Sequence, residues 1–169
     1  MDPPKSVPRL PDLLGTLQRH NVDFVVIGGM AGLAHGSSYP SFDLDIAYAR
    51  DRENLERLIA ALTELSVSLR GAPADLPFQL DVRTFENGAN FTFITPYGDL
   101  DVLSDIAGIR SYSDLRREAE RKRIAGLEVP VASIDHLISM KRAAGRGKDK
   151  LMLENYLIIA DEQRKAQDA

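Results

Sequence analysis

The spacing of apolar residues along the chain alternates between a helical and an extended period. Apolar residues three and four positions apart predict helices over residues 10–20, 30–35, 52–65, 112–121, 133–144 and 148–167. Short apolar or alternating runs predict strands over residues 23–27, 44–48, 79–84, 90–95 and 99–103, and a short hairpin or strand that turns at Gly126. The pair Asn87-Gly88 is typical of a hairpin turn between two of these strands.

This order of elements predicts a mixed α/β fold, in which a mixed β-sheet has helices on one side and a helical C-terminal part. With 169 residues and no interdomain linker, the chain is expected to form a single domain. Within that domain we expect a flexible tail over residues 1–8, a core over residues 9–130 and C-terminal helices over residues 131–169 that pack on the core.

Composition narrows the class of protein. A hydrophobic content of 44% is ordinary for a chain that buries a core. No apolar run approaches the roughly 18 residues that a membrane-spanning helix needs, and the Pro-rich start, MDPPKSVPRLPD, lacks the apolar centre of a secretory signal. The chain contains no cysteine, which excludes disulfides and thiolate metal sites. We therefore expect a cytoplasmic protein without a membrane segment.

Aspartates alternate with apolar residues in two of the predicted strands. Asp43 and Asp45 lie two positions apart in one strand, and Asp99 and Asp101 do so in another. Because side chains alternate between the faces of a strand, both acids of each pair point to the same face. Neighbouring carboxylates repel each other unless a cation lies between them, and paired oxygens suit Mg²⁺. Solubilising surface charges are the alternative, which fits Asp99 best; aspartate disfavours strands, so the pair at 43 and 45 indicates a metal site.

A glycine turn precedes the acidic strand. Ile27-Gly28-Gly29 separates a predicted strand from a short helix, and such a turn lets backbone N–H groups approach a phosphate. Two glycines alone are common in tight turns; they carry weight here because Asp43 follows after thirteen residues. Ser37, in the loop between the two features, is a further candidate contact for phosphate.

The glycine turn, the spacer and the acidic strand together resemble the signature of polymerase-β-like nucleotidyltransferases. That signature is hG[GS], then Dh[DE]h, then a later acidic strand, where h is an apolar residue. The segments GGMAGLAHGSSYPSFDLDI, NFTFITPYGDLDVL and SIDHLISMKRAAGRGKDK further resemble the AbiEii/AbiGii-toxin-type group of small bacterial nucleotidyltransferases. The resemblance covers most of the chain, from residue 22 to residue 160.

The resemblance implies a nucleotidyltransferase fold and assigns roles to the singled-out residues. Gly28 and Gly29 are expected to hold the triphosphate of an NTP, and Asp43 and Asp45 to bind Mg²⁺. Asp101 is expected to complete the metal site and to act as general base on the acceptor hydroxyl. The resemblance further implies a toxin of a toxin–antitoxin or phage-defence pair, with tRNA or a protein as acceptor and an antitoxin protein as partner.

Lys141 continues the apolar stripe of a predicted helix, after Ile134, Leu137 and Ile138. A lysine at such a position either extends its amine out of the core to solvent or aims it at an anion. The resemblance favours the second interpretation, because it places a lysine here that faces the nucleotide phosphates.

Two residues depart from the family pattern and leave other functions open. Tyr39 and Ser41 stand where related sequences often carry Arg and Thr. Ser41 keeps the hydroxyl, whereas Tyr39 removes a cation that could contact phosphate. One alternative is an antibiotic nucleotidyltransferase of the aminoglycoside or lincosamide type, which shares the start of the signature. The other is a non-catalytic relic that only binds a partner, which the loss of the arginine favours and the intact acids oppose.

Charge is distributed unevenly along the chain. Residues 116–150 carry ten Lys and Arg against five Asp and Glu, whereas residues 1–115 carry nine against sixteen. The basic segment is either a solvated helical face or an electropositive wall for a triphosphate or an RNA backbone. In the second interpretation, Arg116 and Arg117 contact RNA, whereas Lys141 contacts the NTP.

Overall fold

The structure, a computed structural model, describes residues 6–73 and 75–169. Within these residues the chain forms seven helices and seven strands. The helices are α1 (Leu10–Arg19), α2 (Gly28–Ala34), α3 (Arg52–Glu64), α4 (Val82–Asn87), α5 (Tyr112–Glu118), α6 (Ile134–Ala144) and α7 (Gly147–Gln167). The strands are β1 (Phe24–Ile27), β2 (Asp43–Tyr48), β3 (Ser68–Leu69), β4 (Phe91–Thr95), β5 (Gly98–Leu103), β6 (Glu120–Ile124) and β7 (Leu127–Val131).

The strands form one mixed sheet in the order β3-β4-β5-β2-β1-β7-β6. Strand β2 is antiparallel to β1 and parallel to β5, and β1 is parallel to β7. Two antiparallel hairpins, β4-β5 and β6-β7, occupy opposite sides of this centre. The predicted mixed α/β fold with a mixed sheet is therefore confirmed.

The two faces of the sheet differ in their environment. On one face Leu44, Ile46, Leu100 and Val102 are fully buried. Helix α4 covers this face, since the ring of Phe85 packs edge-on against Tyr48 with centroids 5.9 Å apart, and α3 and α1 follow beside it. The aspartates of β2 and β5 point to the other face and remain partly exposed. The alternation that the sequence predicted thus places the acids on the open face.

The predicted strand over residues 79–84 is wrong, because the chain forms helix α4 there. The side chain of Asp81 accepts a hydrogen bond from the backbone N–H of Thr84 at 2.8 Å and caps this helix, and Phe85 is fully buried. The hairpin turn at Asn87-Gly88 is wrong as well. The N–H of Gly88 bonds to the carbonyl of Thr84 at 3.0 Å and ends the helix, while the hairpin turn lies between Thr95 and Gly98.

The predicted turn at Gly126 is confirmed, and local signals mark both ends of α6. Strands β6 and β7 form a hairpin that turns at Ala125 and Gly126, both with positive φ. Ser133 caps α6 by accepting a hydrogen bond from the backbone N–H of His136, and Gly145 ends that helix in the left-handed conformation with a φ of 63°. Helix α5 ends at Glu118, three residues earlier than predicted, because β6 begins at Glu120.

Of the predicted tail, residues 1–5 lie outside the described residues. Packing begins at Pro8, which is buried against Gly98, and the N–H of Arg9 bonds to the carbonyl of Tyr97 at 2.7 Å. At the other end of the chain, Leu137 of α6 and Tyr156 of α7 belong to the same buried core as the sheet. None of the helices in the described part of the chain is both long and apolar enough to cross a bilayer.

Candidate active site

Four aspartates form two adjacent pairs on the open face of the sheet. In the parallel register of β2 and β5, Asp43 lies beside Asp99 and Asp45 lies beside Asp101. Each of the four is intermediate between buried and exposed. The sequence predicted that Asp43, Asp45 and Asp101 form one metal site; the register of two strands distant in sequence places them on one face of the sheet, and the shared metal site stays a prediction. A concentration of negative charge on one face results.

The carboxyl group of Asp45 lies at the centre of this negative charge. Burial raises the pKa of Asp45 to about 7, and the neighbouring carboxylates of Asp101 and Asp43 act in the same direction. Its Oδ1 atom is buried and has no hydrogen-bond partner among the described residues. A buried carboxylate oxygen without a donor is costly unless another group or a cation completes its surroundings.

The glycine turn lies directly against Asp45. Gly28 has a φ of +67°, and a Cβ atom there would stand 2.2 Å from Oδ2 of Asp45. A Cβ atom on Gly29 would stand 2.6 Å from the hydroxyl of Ser41. Gly28 is therefore needed for close packing as well as for conformation, and Gly29 for close packing. The turn, Ser41 and the acidic strand form one compact unit.

The donor set suits a magnesium ion that is also bound by substrate. Among residues 6–73 and 75–169, no three His, Cys, Asp or Glu side chains converge into a metal cage. Magnesium, however, is usually held by one or two carboxylates together with substrate phosphates and water rather than by an all-protein cage. Carboxylate oxygens beside the unpartnered Oδ1 of Asp45 fit that mode of binding.

A cavity of about 270 Å³ extends from Asp45 to the C-terminal helices. Its wall includes Gly28, Asp45, Lys141 and Tyr156, and most of the other lining side chains are apolar. Three residues that the sequence singled out, from three separate segments, thus line one cavity. Its position between a glycine turn, an acid and a lysine suits a ligand that carries phosphate on an otherwise uncharged body.

Lys141 is oriented by a buried carboxylate. Its Nζ atom lies 2.9 Å from Oδ1 of Asp149, whose side chain is 1% exposed, and Nε of Arg146 lies 2.8 Å from the other oxygen. Burial alone would raise the pKa of Asp149, but hydrogen bonds from Lys141 and Arg146 outweigh it and hold this pKa at about 2. Lys141, which lines the cavity, is therefore held in place as a cation by this buried carboxylate.

Tyr156 was not anticipated from the sequence. The residue lines the cavity and its ring is buried. Its buried hydroxyl oxygen has no hydrogen-bond partner among the described residues. Burial and then the charge of Asp149 raise the pKa of Tyr156 to about 12, so the group keeps its proton and remains a donor. Gly32 makes room for it, since a Cβ atom there would stand 2.5 Å from this hydroxyl. Only the tertiary packing of α7 on α2 reveals this donor.

Ser37 is not brought to the cavity wall. It is buried, and its hydroxyl accepts a hydrogen bond from the N–H of Tyr39 at 3.3 Å within its own loop. The neighbouring His35 has a structural environment, because its Nε2 contacts the carbonyl of Ala132 at 2.8 Å and its Nδ1 contacts Gln163 at 3.0 Å. A phosphate contact by Ser37 remains a prediction.

Arg70 is a second residue that the sequence did not reveal. It follows the short strand β3, and its guanidinium contacts Asp101 and Asp99 on the open face. Arg70 is thus a cation contributed to the acidic pairs from a segment thirty residues away in sequence. A lone arginine before Gly71 carries no motif that would have identified it.

The basic segment is partly neutralised by acidic neighbours. Nε of Arg116 lies 3.5 Å from Oδ1 of Asp23, and Nη2 of Arg117 lies 2.5 Å from Oδ1 of Asp114. These ion pairs reduce the positive charge available to a polyanion at this place, although both arginines remain largely accessible to solvent.

Comparisons with known proteins identify the fold. Neither a scan of protein-family models nor a search of curated proteins gives a match. Among solved structures, TM1012 from Thermotoga maritima, assigned as a nucleotidyltransferase, is similar with a TM-score of 0.56 and 18% identity over 88% of this chain and 89% of its own. The lincosamide antibiotic adenylyltransferase LnuA, solved with lincomycin, has a TM-score of 0.59 and 14% sequence identity, over 89% of this chain and 96% of its own. ANT(2″)-Ia in complex with adenylyl-2″-tobramycin has a TM-score of 0.59 and 14% sequence identity, over 91% of this chain and 87% of its own. The chain therefore has the nucleotidyltransferase fold.

Proposed function

We propose that this protein is a Mg²⁺-dependent nucleotidyltransferase that moves a nucleoside monophosphate from an NTP to an acceptor hydroxyl. The observation that carries the proposal is the contact between the Gly28 turn and Asp45, whose unpartnered oxygen lies beside a cavity that reaches Lys141. A phosphate-approaching turn, one carboxylate of the aspartate pair and a fixed cation around one cavity match the needs of a nucleoside triphosphate.

Each residue has a defined task in this reaction. Asp43 and Asp45 would hold the magnesium ion, which neutralises charge on the phosphates when bound. Backbone N–H groups at Gly28 and Gly29 hold the triphosphate, and Lys141, which lines the same cavity, binds a phosphate oxygen. Tyr156 lines the same cavity, and its unpartnered hydroxyl is a candidate donor to the ligand. Catalysis of this type depends mainly on positioning and charge neutralisation.

Asp101 receives the proton in the transfer step. The acceptor hydroxyl oxygen attacks the α-phosphorus and forms a new P–O bond while its proton passes to the carboxylate of Asp101. The bond between the α-phosphorus and the bridging oxygen to the β-phosphate breaks, and pyrophosphate leaves. The place of Asp101 beside Asp45 in the register supports this role, because it puts a proton acceptor next to the proposed metal ligands.

For the acceptor we propose tRNA or a protein, with the enzyme acting as the toxin of a toxin–antitoxin or phage-defence pair and held inactive by an antitoxin protein. The three segments that resemble AbiEii-type sequences support this assignment. A second candidate acceptor is an antibiotic hydroxyl, since the fold is similar to that of LnuA and of ANT(2″)-Ia. A macromolecular acceptor and an antibiotic differ in size, so one labelling experiment distinguishes between them.

The experiment supplies each of the four α-³²P-labelled NTPs with Mg²⁺ to the protein, together with total tRNA, a protein lysate or a panel of aminoglycosides and lincosamides. We expect label in tRNA or in a protein band, and loss of that label with Asp45→Asn. Asp161→Asn, which removes an exposed carboxylate on α7, is the matched control and should label normally. Label in the antibiotic panel alone would replace the acceptor. No label anywhere would favour the non-catalytic relic, whereas equal labelling by the wild type and Asp45→Asn would overturn the proposed mechanism.

A further inference from the structure

The sheet register places Arg70 in the same row as the aspartates. The N–H of Arg70 bonds to the carbonyl of Thr92 at 2.9 Å, which continues the antiparallel pairing of β3 with β4. Thr92 lies opposite Asp101, which in turn lies beside Asp45. Residues that are directly opposite in a sheet point to the same face, so the side chain of Arg70 starts on the open face, two strands from Asp101.

The guanidinium crosses that distance and makes three contacts. Its Nη2 atom donates to Oδ1 of Asp101 at 2.6 Å and to the carbonyl of Phe93 at 2.9 Å. Its Nε atom lies 3.3 Å from Oδ2 of Asp99. The backbone carbonyl holds the planar group in one orientation, and a planar group with fixed donors restrains the carboxylate that it contacts.

The position of Asp101 gives these contacts a consequence for the site. Asp101 lies between Arg70 on one side and Asp45 on the other, and its side chain is 18% exposed. One of its oxygens is bonded to the guanidinium, which leaves less freedom for the carboxylate to turn toward a metal ion. The cation also offsets part of the negative charge that would draw a metal ion to the four aspartates.

We propose that Arg70 is a positioning residue that restrains Asp101 as the proton acceptor and at the same time weakens divalent-cation binding by the free protein. The proposal rests on the proposed function for its first half, whereas its second half concerns the acidic pairs alone. The nucleotide phosphates then supply the affinity that the aspartates lack by themselves, so metal and NTP bind together. Arg70 would thereby keep the aspartates from holding a metal ion without substrate.

A merely structural role for Arg70 makes a different prediction. If the residue only tied β3 to β5, its loss would loosen the aspartates, and metal binding and transfer would weaken together. Our proposal predicts changes of opposite sign, tighter metal binding and slower transfer, which loss of structure does not produce.

The test compares Arg70→Gln and Arg70→Lys with the wild type, using Mn²⁺ alone as the probe. Calorimetry measures the Mn²⁺ affinity of each protein without nucleotide. Labelled NTP gives kcat and KM, and thermal unfolding gives Tm. Arg19→Gln is the matched control, because Arg19 also pairs with a carboxylate, that of Glu64, outside the aspartate pairs. We expect Arg70→Gln to bind Mn²⁺ about tenfold more tightly, and to lose about tenfold or more in kcat with little change in KM for the NTP. Arg19→Gln should match the wild type in Mn²⁺ affinity and in kcat.

Arg70→Lys keeps the charge and loses the planar contact, so it should bind Mn²⁺ like the wild type while kcat falls. This variant decides the matter if the glutamine variant does not fold, and wild-type kcat in it would overturn the proposal. Unchanged or weaker Mn²⁺ binding by a folded Arg70→Gln would also overturn it. If the wild type transfers no nucleotide but Arg70→Gln still gains Mn²⁺ affinity, the proposed function fails and the competition between Arg70 and the metal stands.

Discussion

Two independent constraints restrict position 28 to glycine: the left-handed backbone conformation and the close contact with Asp45. We expect Gly28→Ala to cost about 1 kcal/mol for the backbone alone, and more because its Cβ would stand 2.2 Å from the Asp45 carboxylate. Gly145→Ala is the control, since Gly145 has a φ of +63° and nothing within 4 Å of its Cβ position. Urea unfolding of both variants measures the difference. Equal losses would show that the Asp45 contact does not constrain position 28.

The raised pKa of Asp45 makes the stability of the metal-free protein depend on pH. A folded-state pKa of about 7, against the usual 3.8, means that the folded protein binds the proton more tightly than the unfolded chain. Stability is therefore greatest below about pH 4 as far as this group is concerned, and it declines as pH rises toward 7.

Asp45→Asn should remove that decline, because the amide does not ionise. In the presence of EDTA, we expect the variant to be more stable than the wild type by about 1–3 kcal/mol at pH 8 and to differ little from it near pH 4. Thermal unfolding at both pH values measures this, with Asp161→Asn as the control that shows no such difference. A wild type that is the more stable protein at pH 8 would contradict the crowding of carboxylates around Asp45.

At the scale of elements, the junction between α6 and α7 fixes the cation of the cavity. Asp149 lies in the first turn of α7 and draws both Lys141 and Arg146 onto its buried carboxylate. Loss of one partner leaves a buried charge poorly compensated, so Lys141→Ala should cost about 2 kcal/mol of stability. It should also raise the KM or Kd for NTP, because the proposed phosphate contact of Lys141 is lost.

Lys165→Ala is the matched control for this junction. Lys165 also pairs with an aspartate, Asp161, but their side chains are 77% and 56% exposed. Exposed pairs contribute little, so this variant should cost less than about 0.5 kcal/mol. Denaturant unfolding and NTP calorimetry are run on both variants. If Lys141→Ala binds NTP as tightly as the wild type, Lys141 serves only to satisfy Asp149.

Elements with their own signals were predictable from the sequence, and those decided by packing were not. Ser133 and Gly145 mark the ends of α6 by local hydrogen bonding and backbone geometry, which any context preserves. Residues 79–84 read as a strand because apolar and polar residues alternate there, but the cap at Asp81 and the burial of Phe85 favour a helical turn. The two-residue strand β3 has no pattern long enough to be recognised.

At the scale of the whole molecule, the candidate site combines residues that a local sequence pattern predicts with residues that only tertiary packing brings in. Asp43 and Asp45 are paired within one strand, so spacing alone places them on one face. Their approach to Asp101 depends on the parallel register of β2 and β5, for which the family resemblance was the guide. Arg70 and Tyr156 reach the site only through the pairing of β3 and the packing of α7, which no local pattern encodes.

The uneven distribution of charge along the chain bears on whether tRNA is the acceptor. Each phosphate contact that is lost should lower the log–log salt dependence of binding by roughly one unit. Arg116 and Arg117 are already paired with Asp23 and Asp114, so the double variant Arg116→Ala with Arg117→Ala should lower the slope by about one rather than two. NTP binding should not change.

The measurement is a titration of total tRNA into the wild type and the double variant at several salt concentrations. Arg164→Ala with Lys165→Ala removes two charges from the end of α7, outside residues 116–150, and should leave the slope unchanged. A drop of two units would mean that both arginines exchange their aspartates for phosphates on binding. Absent or salt-independent binding by the wild type would exclude RNA as the acceptor. The basic segment would then be a solvated face, and a protein or small-molecule hydroxyl would be the remaining acceptor.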